Sequence, residues 1–316
     1  MKVIFDTDPG IDDAMALLYI SKLPEIELLG ITTVVGNADI ATTTRNALVL
    51  REMFGITAPV ARGAGETLDG VYKEEPAAIH GVNGLGDVEL PEVDESALAP
   101  VSASQFIIDT VRQHPGEVTI IAVGRMTNLA LALRQDPEVA KLTKQVIIMG
   151  GAFGYKGRSG NMTPLAEANI CGDPVAADEM FAAQWPVHVI GLDVTHDIIV
   201  DNAMIEDVAV KGGANGKFIR DVSQLYAGFY NAVMGIDGVV GHDMAAVTYA
   251  LHPEWFETRT GPIVVIRDGL AAGQTAQWPD SRKGGHPAWT GRRSNTICVE
   301  VQADKVLQHF MDAVGR

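Results

Sequence analysis

The chain is short of cysteine, of basic charge and of long apolar runs. Each shortage excludes something. Only two cysteines, Cys171 and Cys298, occur in 316 residues. Two thiols cannot build a disulfide scaffold or a cysteine-rich zinc or iron–sulfur centre. Lys and Arg number 24 against 40 Asp and Glu, a net charge of −16. Such a balance argues against broad nucleic-acid binding and against docking on anionic membranes. No window approaches the roughly 18 apolar residues of a membrane span. The opening Met1-Lys2-Val3-Ile4-Phe5-Asp6 meets an acid too soon for the apolar core of a signal peptide. A soluble cytoplasmic protein is expected. The glycine patterns of ATP and NAD sites are missing, as is the GxSxG of serine hydrolases.

What is present reads as an α/β protein. Short runs rich in Val and Ile fall at Lys2–Asp6, Glu27–Val35, Val118–Val123, Gln145–Met149, Val187–Leu192 and Pro262–Ile266. Helical patterns lie between them near Asp12–Lys22, Ile40–Phe54, Ala103–Gln113, Asn128–Arg134 and Pro174–Ala183. Near-continuous apolar strands alternating with helices predict buried parallel strands of βαβ units. Asn295–Val301 predicts a late strand and Ala303–Ala313 a closing helix. Leu225–Val233 lies in a helical pattern carrying Tyr226, Phe229 and Tyr230. Lys73–Asp87, Gly151–Asn161 and Asp280–Arg293 read as long loops, which in compact proteins are often functional.

Polar residues follow the apolar runs, where open α/β sheets bind ligands. Gly36-Asn37, Gly124 with Thr127-Asn128, Met149-Gly150-Gly151 and Asp193-Val194-Thr195-His196 all sit at such ends. Any one of them also suits a simple turn. The first end is different. Asp6-Thr7-Asp8-Pro9-Gly10-Ile11-Asp12-Asp13 places four carboxylates in eight residues. Two carboxylates ~4 Å apart repel by roughly 4 kcal/mol at an effective dielectric near 20. A raised pKa or a bound cation relieves this. Asp12 and Asp13 also suit the first turn of a helix, where the dipole favours acids. That role does not account for Asp6 and Asp8. All-oxygen ligands select calcium or magnesium, and Leu17 excludes an EF-hand counted from Asp6. Asn161, Glu167 and Asn169 cluster in a loop and suit a polyhydroxylated ligand as well as a plain turn. His242-Asp243 opens a helical run, where Asp243 can be a cap. His80 is a lone loop histidine.

Together these residues resemble the inosine-uridine-preferring nucleoside hydrolases. DTDPGIDD over Asp6–Asp13 and His242-Asp243 are the most specific motifs. Gly36-Asn37, His80-Gly81, Thr127-Asn128-Leu129-Ala130, Met149-Gly150-Gly151, Asn161, Ala166-Glu167 with Asn169, Gly191–Thr195 and Gly291-Arg292 with Asn295 follow in the family's order. The resemblance implies one Rossmann-like domain over residues 1–316, with a mostly parallel sheet and its active site at the C-terminal strand ends. It implies hydrolysis of ribonucleosides to base and ribose in purine or pyrimidine salvage, with one calcium ion. Asp8, Asp13, the Thr127 carbonyl and Asp243 would hold the ion, and Asp8 would be the general base. Asp12 and Asn169 would bind ribose hydroxyls and Asn37 would support the water. Asn161 and Glu167 would hold the 5′-hydroxyl, with Met149 under the sugar. His242, with His80, would face the leaving base. A homodimer or homotetramer is implied.

The sequence departs from the family's common pattern at Arg125-Met126, Ala168 and Met244. Base preference is expected to depend on loops near His80, Tyr226–Tyr230 and Trp289. Two other readings stand beside this one. A haloacid-dehalogenase-like phosphatase also places Asp-x-Asp after a first strand, but Pro9-Gly10 follows Asp8 here. A non-catalytic nucleoside binder would use Asp8 only as a ligand.

Overall fold

The first strand shows why the sheet forms. In the computed structural model, which describes residues 1–69 and 77–316, Val3, Ile4 and Phe5 are all fully buried. Val3 and Phe5 pack into one apolar cluster and Ile4 into another on the opposite face. That is the two-residue alternation of a strand with both faces covered. Ile120 and Ile121, and Ile147 and Ile148, divide between the clusters in the same way.

The strands are β1 (Lys2–Thr7), β2 (Glu27–Thr33), β3 (Val60–Ala61), β4 (Val118–Ala122), β5 (Gln145–Met149), β6 (Val187–Ile190), β7 (Ile199–Asp201), β8 (Gly238–Val240), β9 (Phe256–Gly261), β10 (Ile263–Val265), β11 (Thr275–Gln277) and β12 (Asn295–Val301). Eight of them form one sheet in the order β3-β2-β1-β4-β5-β6-β12-β9. Its pairings are parallel except β12 with β9 at the edge. The helices are α1 (Ile11–Ser21), α2 (Ile40–Met53), α3 (Ala77–His80), α4 (Ala103–Gln113), α5 (Thr127–Gln135), α6 (Val139–Leu142), α7 (Ala168–Gly172), α8 (Pro174–Ala182), α9 (Leu192–Thr195), α10 (Asn202–Lys211), α11 (Gly213–Met234), α12 (His242–Leu251) and α13 (Ala303–Val314). α1, α11, α12 and α13 cover one face. α4, α5 and α8 cover the other. Among the described residues no helix is long and apolar enough to cross a membrane.

The predicted parallel sheet, the late strand and the closing helix are all present. One predicted strand is placed differently. Pro262–Ile266 is not in the parallel sheet; Ile263–Val265 pairs antiparallel with Thr275–Gln277 in a separate ribbon. Only Pro262 separates it from β9, and a parallel return needs a crossover of a dozen residues or more. The loop expected at Lys73–Asp87 lies partly outside the described residues, and its later part contains α3.

β1 leads to β2 on one side while β4 pairs on the other. The loops after β1 and β4 therefore part, leaving a crevice at the carboxyl ends of the strands.

Candidate active site

Asp6, the penultimate residue of β1, has its side chain fully buried. It accepts from Thr32 Oγ1 at 2.5 Å and Asn128 Nδ2 at 2.8 Å. Burial nevertheless pushes its carboxyl up to about 7. Asp8, one residue beyond the strand, is 2% exposed. The Asn37 backbone N–H donates to its Oδ2 at 2.8 Å, and its Oδ1 has no hydrogen-bond partner. The backbone closes tightly around it. A Cβ on Gly36 would lie 1.8 Å from Asp8 Oδ2, and one on Gly124 would lie 2.7 Å from Oδ1. Only glycine allows the loops after β2 and β4 to press on both oxygens.

Asp12 and Asp13 occupy the first turn of α1. Asp13 accepts from the Gly10 N–H at 2.8 Å, so the capping role expected of it is real. It also accepts from Thr7 Oγ1 and from Asn37 Nδ2, the latter at 3.1 Å. Asp243, at the start of α12, is buried beside them. Asp12, Asp13 and Asp243 bring carboxylate oxygens within 4.8 Å of one another, a group able to hold a metal ion. The converging trio thus contains Asp12 where the sequence reading placed Asp8. Asp12 Oδ1, like Asp8 Oδ1, is buried without a hydrogen-bond partner. Burial pushes Asp12 and Asp13 each up to about 6. Burial first, then the Asp13 charge, raises Asp8 well above the carboxylate range, while the Asn37 N–H and the Arg125 charge oppose. Asp243 is raised in the same direction by burial and by its acidic neighbours. Such buried, crowded acids require protons or a cation. The donor set is all oxygen, as hard cations prefer. Thr127, the first residue of α5, is buried, and its Oγ1 donates to Asp173 at 2.7 Å.

A cavity of about 660 Å³ opens over the acids. Asp12, Asn37, His80, Met149, Asn161, Glu167, Asn169, His242 and Asp243 all line it. Asp8, Asp13 and Thr127 are not in its lining. Glu167 caps α7, accepting from Gly151 and Asn169 N–H at 2.8 Å and from Ile170 at 3.1 Å. Asn169 Nδ2 donates to the Val123 carbonyl at 2.8 Å, so its Oδ1 is the end left for a ligand. Asn161 Oδ1 accepts from Ala168 N–H at 2.9 Å.

The other end of the cavity is aromatic. His242 Nε2 meets Tyr230 OH at 2.6 Å and its Nδ1 meets Thr195 Oγ1 at 2.9 Å. Tyr230 OH lies 3.2 Å from Tyr226 OH, which donates to Asp12 Oδ2 at 3.4 Å. A continuous chain of polar hydrogens therefore joins Thr195 to the acids. Burial holds His242 well below its ordinary pKa, helped by the His196 and His80 charges. His80 is pushed down to about 4 by burial, although the Asp13 charge opposes. The Ile11 N–H donates to His80 Nδ1 at 3.2 Å, so the ring's remaining proton belongs on Nε2. Sequence reasoning named His196 only within a strand-end run and did not single out Arg158 or Ile79; all three line the cavity. Tyr226 and Tyr230 were visible as aromatics four apart on one helix. Trp289 is not in the cavity; its Nε1 donates to the Ala276 carbonyl at 3.0 Å.

The model of the family described as inosine-uridine preferring nucleoside hydrolase matches residues 3–308. The chain belongs to this family. As a member it is an N-ribosyl hydrolase, a glycosidase acting on ribonucleosides. It is similar to uridine nucleosidase 1 of Arabidopsis thaliana, 37% identical over 310 residues, covering 98% of this chain and 91% of that protein. It is also 37% identical over 319 residues to the inosine-uridine preferring nucleoside hydrolase of Leishmania major, covering 100% and 98%. A solved plant nucleoside hydrolase superposes with a TM-score of 0.93 at 36% identity, covering 99% and 98%. The purine-preferring ribonucleoside hydrolase of Gardnerella vaginalis gives 0.91 at 32%, covering 100% and 98%. Family membership replaces the phosphatase and the non-catalytic binder.

Proposed function

We propose that this nucleoside hydrolase uses calcium, with Asp8, Asp13, the Thr127 carbonyl and Asp243 as its protein ligands and Asp12 beside them. The observation that carries the reading is the group of buried carboxylates beneath a cavity lined by amides, with Asp8 Oδ1 and Asp12 Oδ1 lacking hydrogen-bond partners. A divalent cation bound there would make a coordinated water more acidic and would hold a vicinal diol.

The remaining chemistry belongs to the chain. Asp8 Oδ1 takes a proton as water attacks C1′ of the ribose. The C1′–N bond breaks through an oxocarbenium-like state, which the surrounding carboxylates and oxygen dipoles favour. Asp12 and Asn169 bind the ring hydroxyls and Asn37 orients the water. Asn161 and Glu167 hold the 5′-hydroxyl, with Met149 beneath the sugar. The electrons of the broken bond pass to the base, which needs a proton. Burial disfavours a standing imidazolium, so His242 takes up a proton through its hydrogen bonds only as it passes one to the departing base. The proton that Asp8 takes from water balances it over the turnover. The Tyr230–Tyr226 chain relays it, and His80 contributes its Nε2 proton to the same end. We place the reaction in purine or pyrimidine salvage and assign it to one domain over residues 1–316. On the resemblance alone we assign a cytoplasmic homodimer or homotetramer.

The metal assignment has a signed pH dependence. Asp12 and Asp13 are pushed from 3.8 up to about 6, and Asp6 to about 7. Folded carboxyls with raised pKa values hold protons more tightly than the unfolded chain does. Metal-free stability should therefore fall as pH rises from about 4 through 7, and added calcium should reverse the fall. Thermal melts of chelator-treated protein between pH 5 and 8, with and without calcium, check this. Protein purified without added metal should contain stoichiometric calcium. Stoichiometric zinc, or melts that calcium leaves unchanged at pH 8, would sink the assignment.

A further inference from the structure

The cavity is acidic at its sugar end, yet one cation lines it. Arg158 is the only Lys or Arg in the lining among the described residues. It stands in the glycine-flanked loop Gly157-Arg158-Ser159-Gly160, and its guanidinium pairs through Nη2 with Asp197 Oδ1. Asp197 follows His196, whose ring stands edge-on to His242 at 5.8 Å. His242 in turn meets Tyr230. Arg158, His196, His242 and Tyr230 thus form one wall, opposite in character to the acids at the sugar end. The Arg158 charge also holds His196 low, after burial, which agrees with a guanidinium on the His196 side.

A guanidinium is a donor-only group with five N–H bonds in a fixed fork. Asp197 takes one hydrogen bond from it and balances part of its charge, with Lys156 Nζ 3.8 Å from the other carboxylate oxygen, so the fork keeps directional donors for a ligand. Uracil presents an acceptor oxygen where cytosine presents an amino donor, and hypoxanthine differs from adenine in the same sense. Arg158 is half-buried in the free protein. A bound base would shut its donors from water, and facing an amino group one of them would be left unpaired, which discriminates more than a missing methylene does. We propose that Arg158, held by Asp197, is a specificity-determining residue that selects 4-oxo pyrimidine and 6-oxo purine ribosides over their 4-amino and 6-amino counterparts. This rests on the hydrolase reading above.

The test is kcat/KM for uridine, cytidine, inosine and adenosine with the parent enzyme and with Arg158→Gln. Glutamine both donates and accepts, so it should serve either kind of base. The parent should prefer uridine to cytidine and inosine to adenosine, and the variant should lower both ratios by roughly tenfold or more. Pyrimidin-2-one riboside, which lacks the 4-oxygen, completes a cycle. Its loss relative to uridine should shrink in Arg158→Gln, whereas a purely structural role would leave it unchanged. A further readout needs no variant: free uracil should inhibit the parent more tightly than free cytosine. Unchanged ratios, equal losses on all four nucleosides, or equal inhibition by the two bases would overturn the proposal alone. A parent that releases no ribose from any of the four would overturn it together with the hydrolase reading.

Discussion

Asp8→Asn should lower kcat by a factor of roughly 10² to 10⁴ with little change in substrate binding. Asparagine keeps the shape and can still accept the Asn37 N–H that Asp8 Oδ2 accepts now. It cannot take a proton from water. The glycines at 36 and 124 hold position 8 on both sides, so the substituted side chain has nowhere else to go. Measuring calcium content beside kcat separates the two duties of this residue. A large loss of turnover with metal retained identifies the base. Near-normal turnover would exclude Asp8 from that role.

His242→Ala should lower kcat for inosine by roughly 10² or more, a typical general-acid contribution. Hydrolysis of p-nitrophenyl riboside should stay within about tenfold of the parent, because its leaving group departs as a stable anion. The structure sharpens this expectation. His242 bonds to Thr195 and Tyr230, and Tyr230 leads through Tyr226 to Asp12. Breaking the chain removes the proton supply and leaves the acids in place. Equal losses on both substrates would mean that His242 acts by positioning Asp243, its neighbour on α12.

Much of this was legible in the chain. The longer parallel strands announced themselves because both faces are covered, which makes each run apolar, whereas the two-residue β3 at the edge was too short to show. β9 did not, because Glu257, Thr258 and Thr260 on this edge strand are exposed or half-exposed, leaving no apolar run. The acidic loop after β1 was legible as clustered charge. Which of its carboxylates converge with Asp243 was not, because spacing says nothing of how α1 meets α12. Asp12 joins that group, and spacing alone could not have chosen between it and Asp8. The chain from Thr195 to Asp12 was hidden for the same reason: its members come from α9, α12, α11 and α1. Arg158 was hidden by its setting, since a lone arginine among glycines reads as a solvated loop. Trp289 misled in the opposite direction: a large aromatic in a long loop packs beside Trp278, with ring centroids 5.9 Å apart, away from the cavity.

A cation held by the buried carboxylates would grip the ribose diol while Asp8 activates water. Uracil release from uridine and from 2′-deoxyuridine, by protein stripped with chelator and then reloaded with calcium, is the measurement that tests this. Stripped protein should lose turnover of uridine, and calcium should restore it. 2′-Deoxyuridine should be cleaved slower by roughly 10³ or more, because the missing hydroxyl leaves buried polar partners unpaired. Full turnover in the presence of chelator, or equal rates on the two nucleosides, would rule out a cation that holds the diol.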